Sequence, residues 1–329
     1  MIFTISVLLI LSSAIFTLLI VWRSLPAPAK FVFNGKHALV TGGSKGIGKA
    51  IARNLVQRGC SVTIAARSSG NLRSACDELR SFAVSTGSAA DVDWIILDVS
   101  LSYENTESVI KEIERKHGCI DLLVNNAGVS LPGIFEKIPV EEFERVMKIN
   151  YLGTVYACRA VVESMKKRRS GCIAFVCSQA AQCSIFGYTA YGPSKHAQKA
   201  LAESLFAELL PYDVGVSVVF PPNTETEGFE EEYRAMPEEL REISESGGLV
   251  KPEDVAISLL DGIAAGRFNN SVGSTGWFLN TLTSGCVPET SLLQALAQIT
   301  LIGLFRAAGI VFLSLFNSTI AKNVTKGKR

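Results

Sequence analysis

The sequence predicts a doubly wound α/β domain with an apolar helix attached at each end, and three observations carry that reading. Short apolar strands alternate with helical stretches through the middle of the chain, a glycine-rich turn joins the first strand to the first helix, and strongly apolar segments lie near both termini. Alternation of this kind builds a parallel sheet covered by helices on both faces. A chain of 329 residues is long enough to bury that core and to carry attachments. The expected division is an anchor at 1–24, a dinucleotide-binding domain at 35–270 and a membrane-associated region at 271–329.

The first element is an uncharged run at 2–22, rich in Leu and Ile and long enough to cross a hydrocarbon layer as a helix. Ala27-Pro28-Ala29 is similar to a small-residue cleavage site, yet no basic residue precedes the apolar run, which favours a retained anchor over a cleaved signal. Arg23, Lys30 and Lys36 follow the segment, so the positive-inside rule places the large domain on the cytoplasmic side.

From Lys36 the chain reads as a buried strand at 37–41, a glycine turn, a helix to about Arg58 and a second strand at 61–66. Further strands are expected at 93–97, 120–125, 171–177 and 214–220. Helices are expected around Leu72 and Val109 and over 143–167 and 191–210. Gly, Asn and Ser accumulate at 266–274 and mark the end of the domain. The last apolar stretch, 292–316, contains Gln294, Gln298 and Arg306, and an arginine inside a span costs about 2.5–3.5 kcal/mol. An interfacial helix, a re-entrant segment or a helical hairpin therefore suits it better than a simple crossing. A buried helix or a dimer contact is the other reading, and it leaves a homo-oligomer open.

Composition excludes several classes. The net charge is +1, from 32 basic and 31 acidic residues, so no nucleic-acid partner is implied. The eight cysteines form no CxxC pair and the three histidines no cluster, which argues against a metal centre and fits a reducing compartment.

Two motifs carry the chemistry. Thr41-Gly42-Gly43-Ser44-Lys45-Gly46-Ile47-Gly48 ends a strand and opens a helix, so its glycines permit a tight turn and close approach of a pyrophosphate to the helix N-terminus. Tyr191 and Lys195 are four residues apart on an expected helix and share a face, with the Ser178 hydroxyl thirteen residues before the tyrosine. A cation beside a phenol stabilises the phenolate and lowers its pKa from about 10. Tyr191 could then act as a general acid on a carbonyl that Ser178 polarises. Tyr188 is seven residues from Lys195, nearly two turns away, and is the weaker candidate.

The spacing TGxxxGxG together with Ser178 and Tyr191-x-x-x-Lys195 resembles the short-chain dehydrogenase/reductase family. The resemblance implies a Rossmann-type sheet and a nicotinamide cofactor. It also implies contacts to that cofactor from Gly42, Ser44, Lys45, Gly46, Ile47, Gly48, Tyr191 and Lys195. Asn125-Asn126-Ala127-Gly128 is similar to the family's NNAG motif, with Asn126, Ala127 and Gly128 beside the ribose, and Asp98-Val99 is similar to the pair that contacts adenine. Asn150 matches the asparagine that holds a water in a proton relay behind the lysine. An acidic residue at the end of the second strand would favour NAD. That position reads Ala66-Arg67-Ser68, and Arg67, with Lys45 at the same end, suits the 2′-phosphate of NADPH. The second phosphate ligand stays open.

Within the family, the segments 175–180, 221–229 and 302–306 and the apolar ends resemble reductases of a long-chain keto sphingoid base at the endoplasmic reticulum membrane. That resemblance implies reduction of a ketone whose tail stays in membrane lipid. A membrane-bound steroid or retinoid reductase and a non-catalytic NADPH-sensing scaffold are the alternatives. The stretch 220–250 is a candidate lid, and Glu225, Glu227 and Glu230 in it form either a solvated acidic loop or a site attracting an ammonium group.

Overall fold

A computed structural model describes residues 2–27 and 30–326. Pro28 and Ala29 of the cleavage-like segment, and Lys328 and Arg329 of the basic tail, lie outside the described residues. The chain begins with α1 (Ile2–Ser24), whose apolar side chains Ile15, Phe16, Leu19, Ile20 and Trp22 are exposed.

The domain then runs β1 (His37–Thr41), α2 (Gly46–Gln57), β2 (Ser61–Ala66), α3 (Ser69–Thr86), β3 (Val92–Ile96), α4 (Tyr103–His117) and β4 (Leu122–Asn125). Its second half runs α5 (Val140–Met147), α6 (Gly153–Arg168), β5 (Cys172–Val176), α7 (Tyr191–Leu209), β6 (Gly215–Val219), α8 (Glu227–Ala235), α9 (Glu238–Ser246), α10 (Pro252–Ala265) and β7 (Asn269–Asn270). All seven strands pair in parallel in the order β3-β2-β1-β4-β5-β6-β7. The winding reverses between β1 and β4, which opens a crevice beyond their carboxyl ends.

Period-two alternation assigns the strand side chains to two cores. Ala38 and Val40 of β1 pack with Ile51 and Leu55 of α2, Leu72 of α3 and Leu259 of α10. Leu39, between them, faces the other layer with Ile110 of α4, Val161 of α6 and Ala202 of α7. Local signals delimit the helices. Ser68 accepts a hydrogen bond from Asn71 N to cap α3, Ser102 caps α4 from Asn105 N, and Gly87 ends α3 with φ at 66°. Between α5 and α6 the helix widens into a π turn over Lys148–Leu152, which carries Asn150.

β7 replaces what the sequence marks only as a domain end. Two asparagines show no apolar alternation, but Asn270 is buried and donates to Ser217 Oγ at 2.8 Å and Val218 O at 3.1 Å, which fixes the edge strand.

The chain closes with α11 (Gly273–Leu282) and α12 (Leu292–Lys326). α12 is one continuous helix of 35 residues, about 50 Å long, which removes the hairpin. Its span Leu292–Asn323 is long and apolar enough to cross a membrane, and α1 contributes a shorter apolar helix, Ile15–Ser24. The glutamines that counted against a span sit in the first turns of α12 and bond to the domain: Trp277 Nε1 donates to Gln294 Oε1 at 2.9 Å, and Gln298 Nε2 donates to Glu289 Oε2 at 2.9 Å. Phe278 of α11 packs on Phe305 and Phe312 of α12.

Candidate active site

The glycine turn is built against the end of β4. Gly42 takes φ of +66°, and a Cβ there would lie 2.9 Å from Ala127 Cα, so only glycine fits. Thr41 Oγ1 accepts from the backbone N–H groups of Asn126 and Ala127, both at 3.1 Å. Asn126 Nδ2 donates in return to Thr41 O and Gly42 O at 3.0 Å. No side chain caps the N-terminus of α2, which leaves its first-turn N–H groups available to an anion. Gly42, Ser44, Lys45, Gly46 and Ile47 all line one cavity of about 1310 Å³. Gly48 does not line it. A Cβ there would fall 2.3 Å from Gly42 O and 2.4 Å from Asn126 Nδ2, so Gly48 serves the packing of α2 on the turn.

Arg67 lies in the cavity wall beside Ser68 and Asn71, is exposed, and pairs with no acidic group among the described residues. Lys45 is placed differently from expectation. Its Nζ lies 2.6 Å from Glu227 Oε2, so this exposed cation ties the glycine turn to α8. Asp98 and Val99 line the same end. Asp98 Oδ1 accepts from Ser100 N at 2.9 Å and Ser100 Oγ at 2.7 Å, and Val99 is buried beneath Gly153.

Ser178, Tyr191 and Lys195 converge at the other end. Ser178 follows β5, and its Oγ accepts from Ala180 N at 3.1 Å, which leaves the hydroxyl proton free to point at a ligand. Tyr191 opens α7 and lies within hydrogen-bonding reach of Ser178. Burial and the nearby Glu232 carboxyl push its phenol up, with Ser178 opposing them. This corrects the expectation that the lysine holds the tyrosine down. Lys195 Nζ is 5.9 Å from the tyrosine ring centroid and donates to Val176 O and Gln198 Oε1, both at 3.1 Å, while its own burial pushes its pKa down.

Asn150 is fully buried. Its Oδ1 accepts from Val129 N at 2.8 Å, and its Nδ2 donates to Val129 O and Ser194 Oγ, both at 2.9 Å. One Oδ1 lone pair remains. A Cβ on Gly128 would lie 3.2 Å from that oxygen and 3.5 Å from Lys195 Nζ, so the asparagine and the lysine meet over the glycine. Tyr188, the tyrosine set aside on spacing, points its hydroxyl at Glu232 instead.

Residues 36–237 match the family model described as short chain dehydrogenase. The chain belongs to the short-chain dehydrogenase family. Among proteins similar to it is the 3-dehydrosphinganine reductase of Danio rerio, 44% identical over 297 residues that cover 90% of this chain and 88% of that protein. A short-chain dehydrogenase/reductase from Burkholderia phymatum in complex with NAD superposes with a TM-score of 0.66 at 25% identity, covering 74% of this chain and 91% of its own. An alcohol dehydrogenase from Thermococcus sibiricus complexed with 5-hydroxy-NADP superposes with a TM-score of 0.57 at 29% identity, covering 67% and 87%. These neighbours support a nicotinamide cofactor for this short-chain dehydrogenase.

Three parts of the cavity wall were not read from the sequence. Glu232 faces the catalytic end, whereas Glu225, Glu227 and Glu230 are exposed on α8 and the loop before it. Helical phase could have found it, since Glu232 lies three residues after Phe229 on the face that packs inward. Gln179 lines the wall beside Ser178, and its buried Nε2 has no hydrogen-bond partner among the described residues. The far wall comes from Phe278 and Leu282 of α11 and Gly309, Phe312 and Phe316 of α12. Arg306 also faces this cavity, so its charge lies on the helix side that meets the cleft.

Proposed function

We propose that this short-chain dehydrogenase reduces the 3-keto group of a long-chain keto sphingoid base, 3-ketodihydrosphingosine, to dihydrosphingosine with NADPH, at the cytoplasmic face of the endoplasmic reticulum membrane. The observation that carries the reading is the shape of the cleft. A single cavity holds Ser178 and Tyr191 and continues to an apolar wall of Phe278, Leu282, Phe312 and Phe316, supplied by α11 and by α12, the helix long and apolar enough to cross a membrane. A ketone with one polar head and a long tail fits such a cleft, with the tail against α11 and α12. The name of the Danio rerio relative supports the same substrate.

The residues at the cofactor end fit NADPH: uncapped N–H groups of α2 for the pyrophosphate, Gly42 for close approach, Arg67 for the 2′-phosphate and Gly128 beside Lys195 for the ribose. When bound, NADPH supplies the hydride to the carbonyl carbon. Ser178 donates its hydroxyl to the carbonyl oxygen, and Tyr191 passes its phenolic proton to the same atom. The upward push on Tyr191 keeps it protonated, as a donor for reduction must be. Lys195 and Asn150 form the relay that returns a proton to the phenolate.

The test is product analysis with the full chain in detergent or vesicles. Incubation with NADPH and the long-chain keto base should yield dihydrosphingosine, and Tyr191→Phe should lower the rate roughly 10²–10⁴-fold while NADPH still binds. Steroid or retinoid turnover without sphingoid turnover would move the enzyme to the other substrate class. Equal product from Tyr191→Phe would remove the tyrosine from the chemistry.

A further inference from the structure

We propose that Glu232 recognises the ammonium group that an amino ketone carries on the carbon next to its carbonyl, and so selects amino ketones over neutral ones. The proposal rests on the reading that the substrate is a long-chain keto base.

α8 sets its acids apart by direction. Glu227 reaches Lys45 at 2.6 Å, Glu230 pairs with Arg234 at 3.6 Å, and Glu231 is exposed. Glu232 turns inward with Phe229 and Tyr233, which pack on the cluster of Tyr188, Met236 and Leu240. Its carboxyl accepts a hydrogen bond from the Tyr188 hydroxyl, and Ser130 lies beside both groups. No basic side chain pairs with it among the described residues, and burial pushes its pKa up. A carboxyl in such a place is costly to ionise unless a cation arrives. The Tyr188 hydroxyl occupies one oxygen lone pair without supplying charge, which leaves the place of a counter-ion to a ligand.

The position suits an amine two bonds from the carbonyl carbon and three from its oxygen. The rings of Tyr188 and Tyr191 lie 5.3 Å apart, which places Glu232 one ring away from the tyrosine beside Ser178. Recognition would also reach the chemistry, because the Glu232 carboxylate raises the Tyr191 phenol and a bound ammonium would offset that charge. A neutral ketone would leave Glu232 without a counter-charge.

The competing explanation is a latch, in which Glu232 only holds α8 to Tyr188. Glu232→Gln separates the two, since the amide still accepts from Tyr188 but carries no charge. The full chain would be assayed with NADPH on the long-chain 2-amino-3-ketone and on the same molecule lacking the amine. Wild type should prefer the amino ketone by about 30-fold or more in kcat/KM. In Glu232→Gln that preference should collapse to within about threefold, with the neutral ketone still turned over and NADPH binding unchanged. Retention of the preference, or an equal loss on both ketones, would overturn the assignment. As a readout that needs no variant, a long-chain primary amine should inhibit wild type far better than the alcohol of equal length, and equal inhibition would also overturn it. Absence of turnover of either ketone by wild type would instead defeat the substrate reading itself.

Discussion

The cofactor end and the substrate end of the cleft are built on opposite principles. At the glycine turn, the polar groups of Thr41, Gly42, Asn126 and Ala127 satisfy one another, and a Cβ on Gly42 or Gly48 would meet atoms within 3 Å. At the substrate end, Glu232 has no counter-charge among the described residues, Gln179 Nε2 has no partner, and Phe312 and Leu313 are exposed along α12. The first region holds its shape before a ligand arrives and keeps only the first-turn N–H groups of α2 and Arg67 open to one, whereas the second has polar side chains without partners among the described residues. The difference suits the ligands proposed above: a dinucleotide offers fixed charges to a rigid backbone, whereas a long-chain ketone offers a small head and a flexible tail to side chains.

The largest effect is expected at the opposite end of β1 from the glycine turn, where the sheet is closed to charge. His37 at the start of β1 is buried against Thr63 and His117, and burial, then His117, lower its pKa from 6.5 to about 4, against Asp121 and Asp91. The unfolded chain therefore binds a proton more readily than the folded one between these values. The stability that the neutral ring confers is fully present above pH 6.5 and is lost as pH falls toward 4, about 3 kcal/mol in all. Denaturant melts in detergent from pH 7 to 4 should show this slope, and His37→Gln should flatten it. An unchanged slope would mean that water reaches the His37 ring more freely than its burial indicates.

A smaller effect should follow at the edge of the cofactor end. Arg67→Glu places an anion where the 2′-phosphate is expected, and the ratio of kcat/KM for NADPH over NADH should fall about 10- to 100-fold. An unmoved ratio would shift cofactor choice to another residue, with Asn71 the nearest candidate in the wall.

The mildest change concerns the open region. A Cβ on Gly309 would lie 2.8 Å from Leu282 Cδ2, so Gly309→Phe fills the apolar wall between α11 and α12. Turnover of a long-chain ketone should fall about tenfold with a short-chain ketone unaffected. Equal loss on both would show that the tail takes another path.

Much of the domain is legible in the sequence because strands buried on both faces must be apolar runs. β1 and β2 fall where expected, and β3 to β6 differ from expectation by one or two residues at their ends. β7 was not legible, since Asn269 and Asn270 become a strand only through a hydrogen bond to Ser217. Tyr191 and Lys195 were found by spacing, because a helix converts four residues into one face, and Ser178 by the family pattern that accompanies them. Glu232 escaped because it stands in a run of three acids, Glu230, Glu231 and Glu232, where only its phase with Phe229 on the helix sets it apart.

By itself the sequence determined the parallel sheet, the glycine turn and the shared helix face of Tyr191 and Lys195, all of which depend on local periodicity and short-range spacing. Only the tertiary structure decided that Lys45 pairs with Glu227, that Lys195 does not hold the Tyr191 phenol down, and that α12 supplies a wall of the cavity. These outcomes depend on burial and on pairs 182 residues apart, as in the Lys45 to Glu227 bridge. Spacing along the chain carries no information about either.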